Sequence, residues 1–108
     1  MKKIIFLSGL LFIFGFSSAQ ASTYTVTGTT DAVGSCVGTA CTSLRAAISA
    51  ANSNAGDDII TLSQGVYELS IVGSGENSNA TGDFDITQSG TSLTINGVSA
   101  DTTIIAVS

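Results

Sequence analysis

The chain has 108 residues, with 8 acidic and 3 basic side chains, no histidine and no proline. Without histidine it lacks the commonest general base and metal ligand of proteins. Its acidic balance does not suit nucleic acid or anionic lipid, whose binding depends on Lys and Arg. The sequence therefore predicts one small domain that neither binds nucleic acid nor carries out nucleophilic catalysis.

Residues 1–21 have the features of a secretory signal peptide. Two lysines precede an apolar run over residues 4–16, and Ala19-Gln20-Ala21 puts small residues at the A-x-A positions. We expect cleavage after Ala21, since the run is too short to span a bilayer comfortably. The mature chain then has no membrane span, keeps Arg45 as its only cation against 8 acidic residues, and is predicted to be secreted or held at the cell surface.

The two cysteines, Cys36 and Cys41, remain in the mature chain. A secreted chain meets an oxidising compartment, and the four intervening residues, VGTA, allow the chain to turn back. Zinc would need further Cys or His ligands, and a redox-active pair usually has two intervening residues. We therefore predict an intrachain structural disulfide, with Cα atoms within about 4.4–6.8 Å.

Two elements are predicted in the first half of the mature chain. TYTVTG, residues 23–28, alternates threonine with apolar residues and predicts a strand. After a polar loop, Ser43 is the best N-cap of a helix, which should start within two residues of it. The helical stripe consists of small or apolar side chains at i, i+3, i+4 and i+7: Leu44, Ala47, Ile48 and Ala51.

After Gly56 the apolar period changes from about 3.6 to 2 residues. About five short strands are expected, in DDIITL, GVYELSI, DFDIT, SLTING and TTIIAVS. Their pattern fits either a small β-sandwich or the opening coils of a parallel β-solenoid. The pattern alone does not decide between these two folds. The predicted inward residues are Leu62, Leu69, Phe84, Ile86, Leu93 and Ile95.

The segments CTSLRAAISAAN, GDDIITL, GVYEL, TGDFDIT and SLTINGVSADTTII, in this order, resemble the CSLREA domain. That domain is the N-terminal segment of secreted bacterial right-handed parallel β-helix proteins. Thr42 is inserted relative to the family pattern, and Ala46 replaces a glutamate that would complete a capping box with the N-cap serine. The lost hydrogen bond should weaken the helix start by roughly 0.5–1 kcal/mol.

The resemblance implies a mainly β fold: the helix-capped start of a right-handed parallel β-helix, truncated at its C-terminal end. Residues 22–56 would hold the first strand, the disulfide loop and the capping helix, and residues 57–108 the first, incomplete coils. Ser43, Leu44, Arg45 and Ile48 would form the cap.

The implied function is non-enzymatic, with carbohydrate or a host or cell-surface ligand bound through downstream coils. The alternative is the start of a β-helix polysaccharide lyase or hydrolase whose catalytic residues lie outside this chain. No catalytic residue or organic cofactor is assigned here.

The carboxylates of Asp83 and Asp85 form a second candidate site. On one face of a strand their side chains would stand roughly 6.5–7 Å apart. They fit a solvated outer face, a calcium site or a carboxylate pair for glycoside hydrolysis, although two residues of one strand cannot flank a sugar bond from both sides. Asn79 begins an N-glycosylation sequon, NAT.

Arg45 lies near the helix N-terminus, where a positive charge is unfavourable. We expect its guanidinium to leave the helix and bind the first coils, through backbone carbonyls or a carboxylate such as Asp83 or Asp85.

Overall fold

The computed structural model describes residues 20–108, so the predicted signal peptide lies outside the described residues except for Gln20 and Ala21. The described chain is mainly strand, with one helix. No helix within it is long and apolar enough to cross a membrane. In chain order the elements are β1 Thr23–Val26, β2 Cys36–Val37, β3 Ala40–Cys41, α1 Leu44–Ser53, β4 Asp58–Leu62, β5 Gly65–Leu69, β6 Leu93–Asn96 and β7 Thr103–Val107.

The larger sheet is built around β1 and has the strand order β2–β3–β1–β4–β6. β1 pairs in parallel with β3 and β4, and β4 pairs in parallel with β6. Tyr24, Ile60 and Ile95 lie in register across β1, β4 and β6. As the alternation of β1 predicts, Tyr24 and Val26 are buried while the intervening threonine is exposed.

The smaller sheet consists of β5 and β7, which also pair in parallel, with Tyr67 opposite Ile105 and Leu69 opposite Val107. The chain runs from β4 to β5 and, after a long loop, from β6 to β7. The strand pair β4 and β5, and then the pair β6 and β7, therefore each add one parallel strand to each sheet. Pairing after Gly56 is parallel, as predicted.

A disulfide joins Cys36 to Cys41, which confirms the predicted pairing. The Cα atoms are 4.0 Å apart, closer than predicted. The two residues face each other directly across the antiparallel pair β2–β3. Facing residues at non-hydrogen-bonded positions of such a pair have Cα atoms only about 4.5 Å apart.

The helix starts where the sequence predicts. Ser43 is its N-cap and accepts a hydrogen bond at Oγ from the amide of Ala46 at 3.0 Å. The same hydroxyl donates to the carbonyl of Ala32 at 2.6 Å, so the cap also holds the preceding loop. At the other end the amide of Asn54 donates to the carbonyl of Ala51 at 3.1 Å.

The core lies beneath α1, which packs against β1, β2, β3 and β4. Leu44 and Ile48 are buried as predicted, but the buried face is broader than the predicted stripe because it includes Arg45 and Ala46. The buried apolar residues are Tyr24, Val26, Cys41, Leu44, Ala46, Ala47, Ile48, Ala51, Ile60, Leu62 and Tyr67.

The predicted inward residues of the later strands are buried to different degrees. Leu62 is buried, whereas Leu69, Phe84, Leu93 and Ile95 are half-buried. Ile86 is 54 % exposed, so the prediction for this residue was wrong. The reason is that DFDIT forms no strand, and its alternation therefore does not sort side chains onto two faces of a sheet.

Candidate functional site

The side chain of Arg45 is completely buried and forms an ion pair with Asp31. Nε donates to Oδ1 of Asp31 at 2.7 Å, and Nη2 donates to Oδ2 at 2.9 Å. This is the bidentate arrangement that matches a guanidinium to a carboxylate and gives both orientation and strength.

The guanidinium of Arg45 also binds the backbone of the segment that precedes β6. Nη2 donates to the carbonyl of Gly82 at 2.7 Å, and Nη1 donates to that of Asp83 at 3.3 Å. The guanidinium carbon lies 4.9 Å from the ring centroid of Phe84, within cation–π range. The prediction that Arg45 binds backbone carbonyls is confirmed, but its carboxylate partner is Asp31 rather than Asp83 or Asp85.

Asp31 connects this pair to the end of β5. Its Oδ2 accepts hydrogen bonds from the amides of Ser70 at 2.8 Å and Ile71 at 3.0 Å. The hydrogen bonds from Arg45, and then those from the two amides, lower the pKa of Asp31 to about 2, although burial acts in the opposite direction. The pKa of Arg45 is raised, chiefly by its hydrogen bond with Asp31. We call Arg45, Asp31 and the groups they bind the Arg45 cluster.

The loop between β5 and β6 is closed at its neck by a hydrogen bond from the amide of Gly82 to the carbonyl of Ile71, at 3.0 Å. Within it, the carboxylate of Glu76 accepts from the amide and hydroxyl of Ser78, both at 2.6 Å, and from the amide of Thr81 at 2.8 Å. These bonds lower the pKa of Glu76 to about 2, with the Ser78 hydroxyl as the largest cause. The loop is therefore ordered around one carboxylate.

Asn79 has a structural role in the same loop. It is buried and has a positive φ of 60°. Its Nδ2 donates to the carbonyl of Asp85 at 2.9 Å, and its Oδ1 accepts from the amide of Asp85 at 2.7 Å. A glycan on this nitrogen would need room that the buried side chain does not have, so the folded structure does not favour modification of the NAT sequon.

Asp83 and Asp85 lie in an irregular segment, so the strand spacing expected for them does not apply. Oδ2 of Asp85 is buried without a hydrogen-bond partner in the described part of the chain. Its burial, and then the charges of Asp83 and Glu76, raise the pKa of Asp85. Residues 20–108 contain no group of three or more Asp, Glu, His or Cys side chains arranged to hold a metal ion. The calcium interpretation thus lacks a third such ligand.

Two depressions flank these groups. One, of about 280 Å³, lies between the outer face of α1 and the Glu76 loop, and is lined only by polar uncharged residues. The other, of about 420 Å³, lies beside the ends of β5 and β7, where Leu69, Ile71, Val72 and Val107 line it. Because residues 20–108 contain neither lysine nor histidine, neither depression holds the usual base for a serine nucleophile.

Sequence reasoning missed Asp31 and Glu76, and it identified Asn79 only as part of a sequon rather than by its contacts with Asp85. Arg45 is the only cation among residues 20–108, so a carboxylate partner could be expected, but the sequence does not say which one. Comparison of the chain with protein-family models, with curated proteins and with solved structures finds no match.

Proposed function

We propose that residues 22–108 are the N-terminal cap and first coils of a secreted or cell-surface protein built on a right-handed parallel β-helix. On this proposal the segment is not an enzyme. It closes and nucleates a solenoid whose downstream coils contact carbohydrate or another surface ligand. The resemblance to the CSLREA domain supplies the handedness and the cellular location, and the disulfide fits an oxidising compartment.

The main support for the proposal is that both sheets are extended by parallel strands in register, β6 beside β4 and β7 beside β5. Ile60 lies beside Ile95 in one sheet, and Tyr67 lies beside Ile105 in the other. Stacked parallel strands on two faces are the repeating unit of a parallel solenoid, which needs a cap over its terminal coil. The packing of helix α1 against β1 and β4 supports a capping role for the helix on this proposal.

Removal of the cap tests the proposal. We would compare the natural secreted product with one whose mature chain begins at Asp57, measuring thermal unfolding and oligomeric state. The shortened product should lose cooperative unfolding and self-associate through the uncovered edge of β4. Arg45→Ala keeps the cap but removes its main polar contact, so it should give an intermediate result.

A shortened product that stays monomeric, with an unchanged unfolding midpoint, would contradict the cap proposal. Incubation of the natural product with polysaccharides tests the alternative activity. Release of reducing or unsaturated sugar ends would favour a lyase or hydrolase.

A further inference from the structure

The carboxylate of Asp58 is buried at the first position of β4 and is 1 % exposed. Its Oδ1 accepts from the amide of Ser22 at 2.9 Å and from Nδ2 of Asn54 at 2.7 Å. Its Oδ2 accepts from Nε2 of Gln88 at 2.9 Å. All three donors are neutral amides.

A buried carboxylate is costly unless it is paired with a positive charge as well as hydrogen-bonded. The only cation among residues 20–108 is Arg45, and its guanidinium is bound to Asp31. Within the described part of the chain, Asp58 is therefore a buried carboxyl group that has hydrogen-bond donors but no positively charged partner.

Ser22 is the residue that the predicted signal-peptide cleavage would leave first. Gln20 and Ala21, the last two residues that the cleavage would remove, are exposed. Hydrolysis of that bond consumes one water: Ala21 leaves as a carboxylic acid, and the nitrogen of Ser22 becomes a primary amine. A chain-terminal amine has a pKa of about 7.7–8.0 and is mostly an ammonium at neutral pH.

We propose that Asp58 is the receptor for the α-ammonium group of Ser22, so that removal of the signal peptide completes a buried ion pair that the unprocessed chain lacks. The nitrogen already lies 2.9 Å from Oδ1, so the pair can form without rearrangement. Processing would thereby lock the start of β1 onto β4, next to the end of α1. The inference goes beyond the proposed function and rests on cleavage after Ala21.

Few other charges are near this group. β1, the last turn of α1 and residues 88–92 carry no charged side chain, and the β4 segment carries Asp57 and Asp58. The Oδ1 of Asp57 accepts from the amide of Ser92 at 2.8 Å. The carboxylate of Asp58 contacts the Ser22 nitrogen directly and favours the charged form of an amine there, so we expect the pKa of the α-amine to be raised.

The chain offers a matched control. Residues 22–108 contain no lysine, so Ser22 supplies the only amine of the processed chain. Acetylation of that amine keeps an N–H donor toward Asp58 but removes the charge. Mass spectrometry of the secreted protein first establishes its N-terminal residue. The unfolding midpoints of the free and acetylated forms are then compared from pH 6 to pH 10, and the α-amine is titrated by NMR.

We expect an α-amine pKa above the usual range of about 7.7–8.0. A raised folded-state pKa stabilises the fold fully below the unfolded-state pKa and loses this effect as the pH rises through the folded-state value. The free form should therefore have the higher unfolding midpoint at pH 6, and the difference should vanish toward pH 10. Asp58→Asn should abolish the difference, and the titration of the natural protein needs no variant.

A mature chain that begins elsewhere than Ser22 would overturn the inference. An α-amine pKa within the usual range, or equal midpoints of the two forms at pH 6, would also overturn it. None of these results bears on the cap proposal, which the product beginning at Asp57 tests separately.

Discussion

The helix end and the β7 end of the molecule share an apolar pattern but differ in burial. Ile48 beneath the helix is 0 % exposed, whereas Ile105 is 47 % and Val107 82 % exposed. Ile105 nevertheless lies in register beside Tyr67, which is buried. Alternation assigns a side chain to a face of a sheet, but burial of that face depends on what packs against it.

The burial of charged side chains also differs between the helix end and the β7 end. At the helix end the side chains of Arg45 and Asp31 are both nearly inaccessible to solvent. Arg45 also donates to a backbone carbonyl, and Asp31 also accepts from a backbone amide. Asp101, just before β7, is exposed. Substitutions at the helix end should therefore affect stability much more than equivalent substitutions near β7.

The largest effect is expected for Arg45→Ala. Removal of one partner from a buried ion pair leaves an uncompensated charge and costs roughly 3–5 kcal/mol. Ser49→Ala, on the same helix, should change the free energy of unfolding by less than about 0.5 kcal/mol. Urea denaturation of the two variants measures the difference. Equal stabilities would mean that the Arg45 cluster does not hold the helix end together.

Truncation of an isoleucine at each end tests the contrast directly. Ile48→Ala should cost about 2–5 kcal/mol, because it leaves a cavity beneath the helix. Ile105→Ala should cost less than about 1 kcal/mol, because much of its side chain is already in contact with water. The two free energies of unfolding can be compared in one denaturation series. A similar cost at both positions would show that β7 is covered in solution.

Removal of the disulfide should have a smaller effect, about 2 kcal/mol, because it closes only a short loop. Reduction of the natural protein and the double variant Cys36→Ala with Cys41→Ala should agree. Hydrogen exchange should show faster opening at the start of α1, which directly follows Cys41, with little change in β7. Faster exchange in β7 alone would contradict this assignment.

Acid should weaken the helix end through Asp31. The pKa of Asp31 is lowered to about 2, mainly by Arg45. This carboxylate therefore stabilises the fold fully above its unfolded-state pKa of about 3.9, and the contribution is lost as the pH falls toward 2. Unfolding midpoints measured from pH 5 to pH 2 should fall more steeply in the natural protein than in Arg45→Ala. Parallel curves would rule out this linkage.

The features that sequence reasoning predicted correctly are local. Ser43 can cap a helix with its own hydroxyl, the spacing of Leu44 and Ile48 defines one helical face, and the two cysteines need only a short turn between them. Each signal lies within a few residues of its consequence. The disulfide, the start of the helix and the first strand could therefore be predicted from the sequence.

The features that it missed depend on contacts between distant segments. The partner of Arg45 is Asp31, one of 8 acidic residues, and only the path of the chain selects it. DFDIT alternates like a strand, but its backbone hydrogen bonds are satisfied by side chains. Asn79 binds both the amide and the carbonyl of Asp85, and Asn52 donates to that carbonyl at 2.7 Å. Apolar alternation does not report such side-chain partners.

The Arg45 cluster also has a consequence for how the strands find their alignment. Asp31 accepts hydrogen bonds from two consecutive amides at the end of β5, and Arg45 binds two consecutive carbonyls beyond the loop. A shift of β5 by one residue would turn those amides away from the carboxylate. The displaced arrangement would keep buried charges without their full set of partners, at a cost of several kcal/mol. The cluster therefore selects the strand alignment, because it destabilises misaligned strands more strongly than it stabilises the aligned ones.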